Sequence, residues 1–566
     1  MAIHDFDTIF DHIGGFGRYQ MFLFAVICYM SAMLAFVYFG QIFMTLTPPH
    51  WCSPPPGLEV NDLLSLDEVK RLTIPIDPET SEFSRCQRYD VDVSALLQGN
   101  MTSQDPTTLW NVTSCTYGWT YDFSTYYPTI TSELNWVCDN DWKPAFSQSF
   151  FFIGSFLGLP ILGWAADKWG RLPVIVVTNV ACGIFGVASA FARSFIIFTV
   201  LRFIVGLTYD THYTVVYILV MEYVSSEYRT VMGNIPIMLF LTAAMCSLPW
   251  MAYFLRSWTI YAVIIHIPQI LCIIFVWVLP ESARWLISQG RLEETLKIIR
   301  KASQVNKKVL SPEFIEEFKD YVKEQSSQKQ STAGVIDLLK TPVLRMRFIL
   351  LSIMWMTIIL AYDGHMRNTE NIGLNVFISF TVLGAVELPA DFLTIIGIEW
   401  IGRRHTTVWT LVLSGVACLL IAAMPEAETT VIFALAIAGR FLITMSINVG
   451  QQYIVEVLPT VARSSGAGAI HTVGSAVSFL SPYIVYLSKF GHFLPYMIMG
   501  IVTIIGGSFC ALLPETINEK LPDSLQDGET YFTGQGYCYN PCSARKTAKV
   551  TPAKTTTEAT PRASVS

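Results

Sequence analysis

The chain has 566 residues, 52% of them hydrophobic, 13% aromatic and only 14% charged, with a formal net charge of −7. Soluble globular proteins are about one quarter charged, so this composition and a mean hydropathy of +0.45 belong to a membrane protein. The acidic balance gives no reason to expect a nucleic-acid partner.

Residues 1–20 form a short N-terminal segment, where HDFDTIFDHIG (4–14) reads as an interfacial helix capped by Asp5 or Asp7. A helix needs about 20 mostly apolar residues to cross the hydrocarbon. The first such run, 21–46, is too long for a signal-peptide core and has no small-residue cleavage site behind it, so it is expected to be retained. Eleven more runs follow, near 145–165, 172–192, 195–219, 231–253, 259–279, 347–366, 373–398, 405–424, 429–454, 464–488 and 493–513. In lipid such runs must be helices, because every backbone polar group needs an internal partner. The expected fold is an all-α membrane protein with twelve transmembrane helices.

Two long polar segments interrupt the pattern. Residues 47–144 carry five Lys/Arg, fourteen Asp/Glu, the cysteines Cys52, Cys86, Cys115 and Cys138, and glycosylation sequons at Asn100 and Asn111. An even cysteine set beside sequons predicts a disulfide-bonded extracellular loop domain between helices 1 and 2, with three pairings open. Residues 280–346 are basic, lack cysteine, and hold two stretches of helical apolar spacing, 291–305 and 312–325. The positive-inside rule puts this loop in the cytoplasm. Five helices (145–279) separate the two segments, so the placements agree, and with helices 7–12 at 347–513 both termini are cytoplasmic. The tail, 514–566, turns Ser/Thr/Lys-rich and is expected to be largely disordered, with Cys538 and Cys542 as free thiols.

The two blocks of six helices repeat one another. Asp167 and Arg171 in GWAADKWGR recur as Glu399 and Arg403 in GIEWIGRRH, 232 residues later. Glu222 and Arg229 recur as Glu456 and Arg463, and LPES (279–282, with Glu281) as LPET (513–516, with Glu515), each at an offset of 234. Arg202 and Arg440 match less closely, at 238. This is a duplication with an axis along the membrane normal. Apart from the arginine pair, every duplicated charge cluster falls on the cytoplasmic side, as does Arg284. Acids at matched positions are more than positive-inside anchors need. They suit a cytoplasmic gate whose charge-assisted bonds break and reform between the halves.

Gly163, Asp167, Lys168, Gly170 and Arg171 follow G-x-x-x-D-[RK]-x-G-R, a pattern that resembles the first-loop motif of the major facilitator superfamily. PESARWL (280–286), LPETINEKLPDSLQD (513–527) and the cysteine-bearing first loop are similar to the organic cation, anion and zwitterion transporters, solute carrier family 22. Sugar porters share the PES-R motif but lack the large loop. The resemblance runs from FGRYQMFLF (16–24) to about residue 527. It implies the pairing Cys52–Cys115 and Cys86–Cys138.

It also implies a substrate site near the midplane between the halves. Ionisable side chains at that depth cost roughly 2.5–3.5 kcal/mol each on insertion scales, so each needs a partner or a task. Asp210, Asp363, Glu387 and Asp391 are the central acids, against Arg202, Arg440, His212 and His471. Tyr209, Tyr213, Tyr217, Trp355, Tyr362, Phe151 and Phe152 are the accompanying aromatics, fit to cage an organic ammonium. Tyr362 and Glu387 match the tyrosine and glutamate that line the family's cation site. Ser475 stands where cation carriers often have aspartate and anion carriers arginine, and Asp210 where cation carriers have lysine. Asn448 is an uncharged hydrogen-bonding candidate. A bland alternative for Asp210 is an ion pair with Arg440 or His471.

These residues point to a plasma-membrane transporter of small organic cations or zwitterions, amine- or carnitine-like, working by alternating access. An organic anion exchanger of the same family and a non-transporting receptor are the alternatives. No metal-spaced His/Cys cluster, phosphate loop or nucleophile elbow suggests an enzyme or a cofactor. Membrane lipid and a coupling ion, Na+ or H+, are the other partners such a carrier would take.

Overall fold

The computed structural model describes all residues except 1–5, 57–64, 77–81, 91–109, 328–333, 426–427, 518–520 and 531–566. Twelve helices are long and apolar enough to span a membrane: α1 Arg18–Met44, α2 Cys138–Trp169, α3 Arg171–Ser189, α4 Phe195–Met221, α5 Ser226–Leu255 and α6 Trp258–Val278 in the first half, then α7 Pro342–Ile372, α8 Val376–Ile401, α9 Arg403–Ala422, α10 Thr429–Val457, α11 Thr460–Phe490 and α12 Phe493–Cys510. They coincide with the apolar runs read from the sequence, several extending a few residues beyond them.

Between α1 and α2 lie two small antiparallel ribbons. Strand β1 (His50–Cys52) and β2 (Gln87–Tyr89) pair respectively with β4 (Trp119–Tyr121) and β3 (Val112–Ser114). Disulfides Cys52–Cys115 and Cys86–Cys138 close this domain, the pairing implied by the resemblance. Asn111 is exposed, whereas Asn100 lies outside the described residues. This side of the bundle is called the loop face. The opposite, basic face carries the short helices Ala283–Ser288, Leu292–Val305, Pro312–Ser327 and Val335–Lys340.

Two expectations for the basic face are corrected. The N-terminal stretch spends its apolar face on the short helices of this side, and its helix starts after Thr8 without a side-chain cap from that residue. Its short helix Ile9–Ile13 buries Ile9, Phe10 and Ile13 in one core with Phe314, Phe318 and Val322, and Asp7 bonds arginines instead of capping. Asp5 lies outside the described residues. The first part of the tail is also ordered. Helix Leu525–Thr530 places Glu529 under α7, where it accepts from Val343 N at 2.9 Å and Leu344 N at 3.1 Å. Cys538 and Cys542 fall outside the described residues.

Small residues set the closest packing. An added Cβ at Gly154, Gly158 or Gly206 would come within 2.3 Å of a backbone oxygen across the α2–α4 contact, so these backbones touch directly. Prolines break the helices nearer the middle. Pro236 opens a π-helical stretch, Pro236–Leu241, in α5. In α8 regular helix stops at Ala385 and restarts at Glu387, because Pro389 has no N–H for the carbonyl of residue 385 and crowds it.

Candidate functional site

On the basic face each half repeats one construction. Gly170 (φ 102°) and Gly402 (φ 94°) adopt a backbone favouring glycine, and a Cβ there would lie 2.4 Å from Glu281 and 2.6 Å from Glu515. Those glutamates cap the next helix. Glu281 accepts from Arg171 N at 2.8 Å and Leu172 N at 3.2 Å; Glu515 accepts from Arg403 N at 2.9 Å and Arg404 N at 3.2 Å. A carboxylate at a helix N-terminus meets orphan N–H groups and the positive end of the dipole. The hydroxyl following it, on Ser282 or Thr516, donates to Glu222 or Glu456. Burial pushes the Glu222 carboxyl above its usual range. The PE[ST] sequences are therefore joints between helices 3, 4 and 6 of each half.

The remaining charges also close within their own halves. Arg171 pairs with Asp167 at 3.0 Å and Arg403 with Glu456 at 3.0 Å, while Asp7 joins Arg229 (2.6 Å) and Arg284 (2.9 Å). Arg229 and Arg463 donate to the carbonyls of Val224 and Leu458. Glu399 is exposed and, among the described residues, forms no ion pair with Arg403, unlike its counterpart Asp167.

The halves meet instead toward the loop face. Ser149 Oγ donates to Phe479 O (2.8 Å), Tyr486 and Lys489 bond Asp141 (2.8 and 2.5 Å), and Thr47 N donates to Glu370 (3.1 Å). A buried ion pair, Asp363–Arg367 at 2.8 Å, lies in this layer. Its guanidinium stacks 5.4 Å from the Tyr38 ring and 4.9 Å from Phe152, and Gln148 accepts from it at 2.5 Å once its amide is oriented to satisfy both atoms.

Beneath that layer, between the halves, is a cavity of about 270 Å³. Tyr38, Phe152, Tyr209, Trp355 and Tyr362 give it aromatic walls, and Ile237 and Leu241 from the π-helical stretch contribute apolar surface. Asp210, Glu387, Asp391, Thr444, Asn448, His471 and Ser475 are among the polar residues lining it. Glu387, placed by the break in α8, is the most heavily bonded. Arg440 Nη2 and Tyr362 Oη both donate to its Oε1, and Thr242 Oγ1 reaches Oε2 at 3.5 Å. Arg440 also donates to Tyr362 O at 2.8 Å, with its guanidinium 3.9 Å from the Tyr362 ring centroid. Asp391, one turn on, accepts from Asn448 Nδ2 at 2.5 Å, and Asp210 accepts from Ser155 Oγ.

Of the sequence candidates, Tyr362, Glu387, Asp210, Trp355, Asn448 and Ser475 thus come together. Asp391, Tyr209, Phe152 and His471 join them, whereas Arg202, His212, Phe151 and four others do not line the cavity. Tyr213 and Tyr217 share a helix face, 6.2 Å apart, but that face packs into the core toward the basic side. Asp363 is consumed by Arg367 in the layer above, and Arg440, fully buried, stands behind Glu387. Asp210 pairs with neither Arg440 nor His471; its partner is Ser155. Sequence reasoning missed Tyr38, Ser155 and Thr444. Tyr38 sits in a helix apolar all round, where no stripe marks a face, and lone hydroxyls carry no distinguishing pattern.

Two six-helix halves around a central cavity, with matched joints on one face, define a transporter of the major facilitator type. The profile of the family described as Sugar (and other) transporter matches residues 109–524. Among solved structures, the D-xylose-proton symporter superposes with a TM-score of 0.55 at 14% identity, covering 89% of this chain and 100% of that one. The xylose transporter XylE from E. coli, partially occluded and inward open, gives 0.53 at 13%, with the same coverage. The Drosophila melanogaster "Organic cation transporter protein" is 32% identical, over 93% of this chain and 95% of its own. "Organic cation/carnitine transporter 2" of Homo sapiens is 31% identical over 92% and 94%, and "Solute carrier family 22 member 21" of Mus musculus 31% over 92% and 93%. The chain belongs to solute carrier family 22 of the major facilitator superfamily, and it is a transporter, not an enzyme.

Proposed function

We propose that this protein carries small organic cations or zwitterions across the plasma membrane by alternating access, with the basic face and both termini in the cytoplasm. The observation that carries the reading is the charge of the cavity. Three carboxylates line it among aromatic rings, and Arg440 forms an ion pair with only one of them. Aromatic faces and uncompensated carboxylates favour an organic ammonium by cation–π attraction and charge neutralisation. An anion would meet that field unscreened, since Arg440 is already engaged and out of the cavity. The names of the relatives agree with this reading.

The duplicated charges on the basic face are read as the inner gate. In the conformation described, the halves are joined toward the loop face and the basic-face charges close within each half, as suits a carrier open to the cytoplasm. Re-pairing across the halves would accompany the outward-open state.

Uptake of one labelled quaternary ammonium and one labelled carboxylate, in wild type and Trp355→Ala, tests the reading. Ammonium uptake above that of untransfected cells, lost in the variant at equal surface expression, is the expected result. Carboxylate uptake without ammonium uptake would overturn it. Repeating the assay with the sodium or the proton gradient collapsed identifies any coupling ion.

A further inference from the structure

Glu387 is the acid the family pattern singles out, yet here it is the one already satisfied, by a guanidinium, a phenol and a nearby threonine hydroxyl. The other two cavity carboxylates differ in kind. Asp210 on α4 and Asp391 on α8 are each held by a neutral donor, the Ser155 hydroxyl and the Asn448 amide. Among the described residues neither has a cation within ion-pair distance. A neutral donor fixes a carboxylate's direction and leaves its charge in place. One of the two belongs to the first half and one to the second, and both line the same cavity.

One polar side chain of the lining is also left without a partner. Thr444, one turn before Asn448 on α10, lines the cavity and is 2% exposed. Its Oγ1 has no hydrogen-bond partner among the described residues. A buried hydroxyl of this kind is normally satisfied. Between the two carboxylates the lining is aromatic and aliphatic, through Tyr38, Tyr209, Ile237 and Trp355.

We propose that Asp210 and Asp391 are paired counter-charges, one on each half, and that the preferred substrates are dications: two ammonium groups joined by an apolar spacer, as in α,ω-diamines. This rests on the cationic reading above and narrows it. Such a substrate gives each acid a cation and places its spacer against the rings. It also ties the halves together through the ligand, whereas a monoamine leaves one carboxylate unpaired.

The test is inhibition of labelled quaternary ammonium uptake by α,ω-diamines of increasing length, each against the monoamine of equal chain length. In wild type the best diamine should outcompete its monoamine about tenfold, with an optimum in length, a modest value for one charge pair in a partly hydrated site. In Asp210→Asn and in Asp391→Asn the ratio should fall to about one, whatever the remaining transport rate, because the ratio reports the second charge alone. Surface biotinylation checks that each variant is delivered. Should an asparagine variant not reach the surface, Ser155→Ala and Asn448→Ala, which disorient the acids without removing charge, should still lower the ratio. Equal potency of diamines and monoamines in wild type would overturn the dication inference and leave the cation reading standing. So would a ratio that neither asparagine variant changes. Monoamine uptake that rises with a proton gradient, without diamine preference, would assign the second charge to a proton and overturn it too. Absence of any ammonium uptake would instead defeat the cation reading itself.

Discussion

Glu387 in α8 and Ser155 in α2 are counterparts under the 232-residue offset, and Arg440 and Thr444 in α10 fall on Gly206 and Asp210 in α4 under the 234-residue offset. The same contact between the second and fourth helices of a half is thus an ion pair in one half and a hydroxyl–carboxylate bond in the other. Gly206 explains part of the difference. A Cβ there would sit 2.0 Å from Phe151 O, so the first half has no room for a side chain where the second holds an arginine. Its own arginine, Arg202, lies one turn toward the loop face, where it donates to Ser189 Oγ at 2.6 Å and, among the described residues, has no carboxylate. The carboxylate caps of the basic-face joints, by contrast, have stayed alike, although Glu515 also meets His405 at 3.4 Å. Duplication has preserved these joints and let the midplane diverge, and the divergence leaves carboxylates from both halves in the cavity lining.

Removing the charge of Glu387 is the most damaging way to probe this asymmetry. Glu387→Gln strands Arg440 in a buried site, a change that costs about 3–5 kcal/mol when a buried pair is broken. Ser155→Ala, at the matching position, removes one hydrogen bond to a carboxylate and should cost less, about 1.5–3 kcal/mol. Thermal melting of the purified proteins in detergent should separate the two clearly. Glu387→Gln/Arg440→Gln should recover part of the loss, since neither charge is then left alone. Similar melting of Glu387→Gln and Ser155→Ala would mean that the halves are energetically alike despite their chemistry.

Gly206→Ala is the intermediate case. Overpacking of this kind costs roughly 1–3 kcal/mol, and the forced separation of α2 from α4 should also turn Asp210 away from Ser155. Cation uptake should fall with stability. Unchanged melting would show that the close approach is not needed.

The smallest effects are expected on the basic face, where they should also be equal. Glu281→Gln and Glu515→Gln each keep an acceptor at the helix end but lose the charge, worth about 0.3–1 kcal/mol against the dipole. Matching drops in melting temperature would support equivalent joints. A large effect in one half only would break the symmetry argued here.

Much of this architecture was readable in advance because its cause is periodic or repeated. Run length gave the helices and matched offsets gave the halves, but the offsets suggested bonds between the halves where the structure closes them within each half. The cavity was harder. Tyr213 and Tyr217 are four apart, which puts them on one face of α4 without saying that the face looks into the core. Asp363 and Arg367 are also four apart, and that spacing was available as a sign that the acid was taken. The partnership of Asp210 with Ser155 depends on how closely α2 and α4 approach, which the Gly154–Gly158 spacing suggests but does not orient.

The helix Leu525–Thr530 bears on how the protein can be handled. Glu529 satisfies N–H groups at the start of α7, and Arg347 donates to Gly528 O at 2.7 Å, so this stretch is part of the second half. A shortened or fluorescently tagged form should keep the chain intact through Thr530 and place any fusion beyond it. Cutting where LPET ends would uncap the helix that carries Trp355 and Tyr362, and a loss of transport in such a form would say nothing about the substrate.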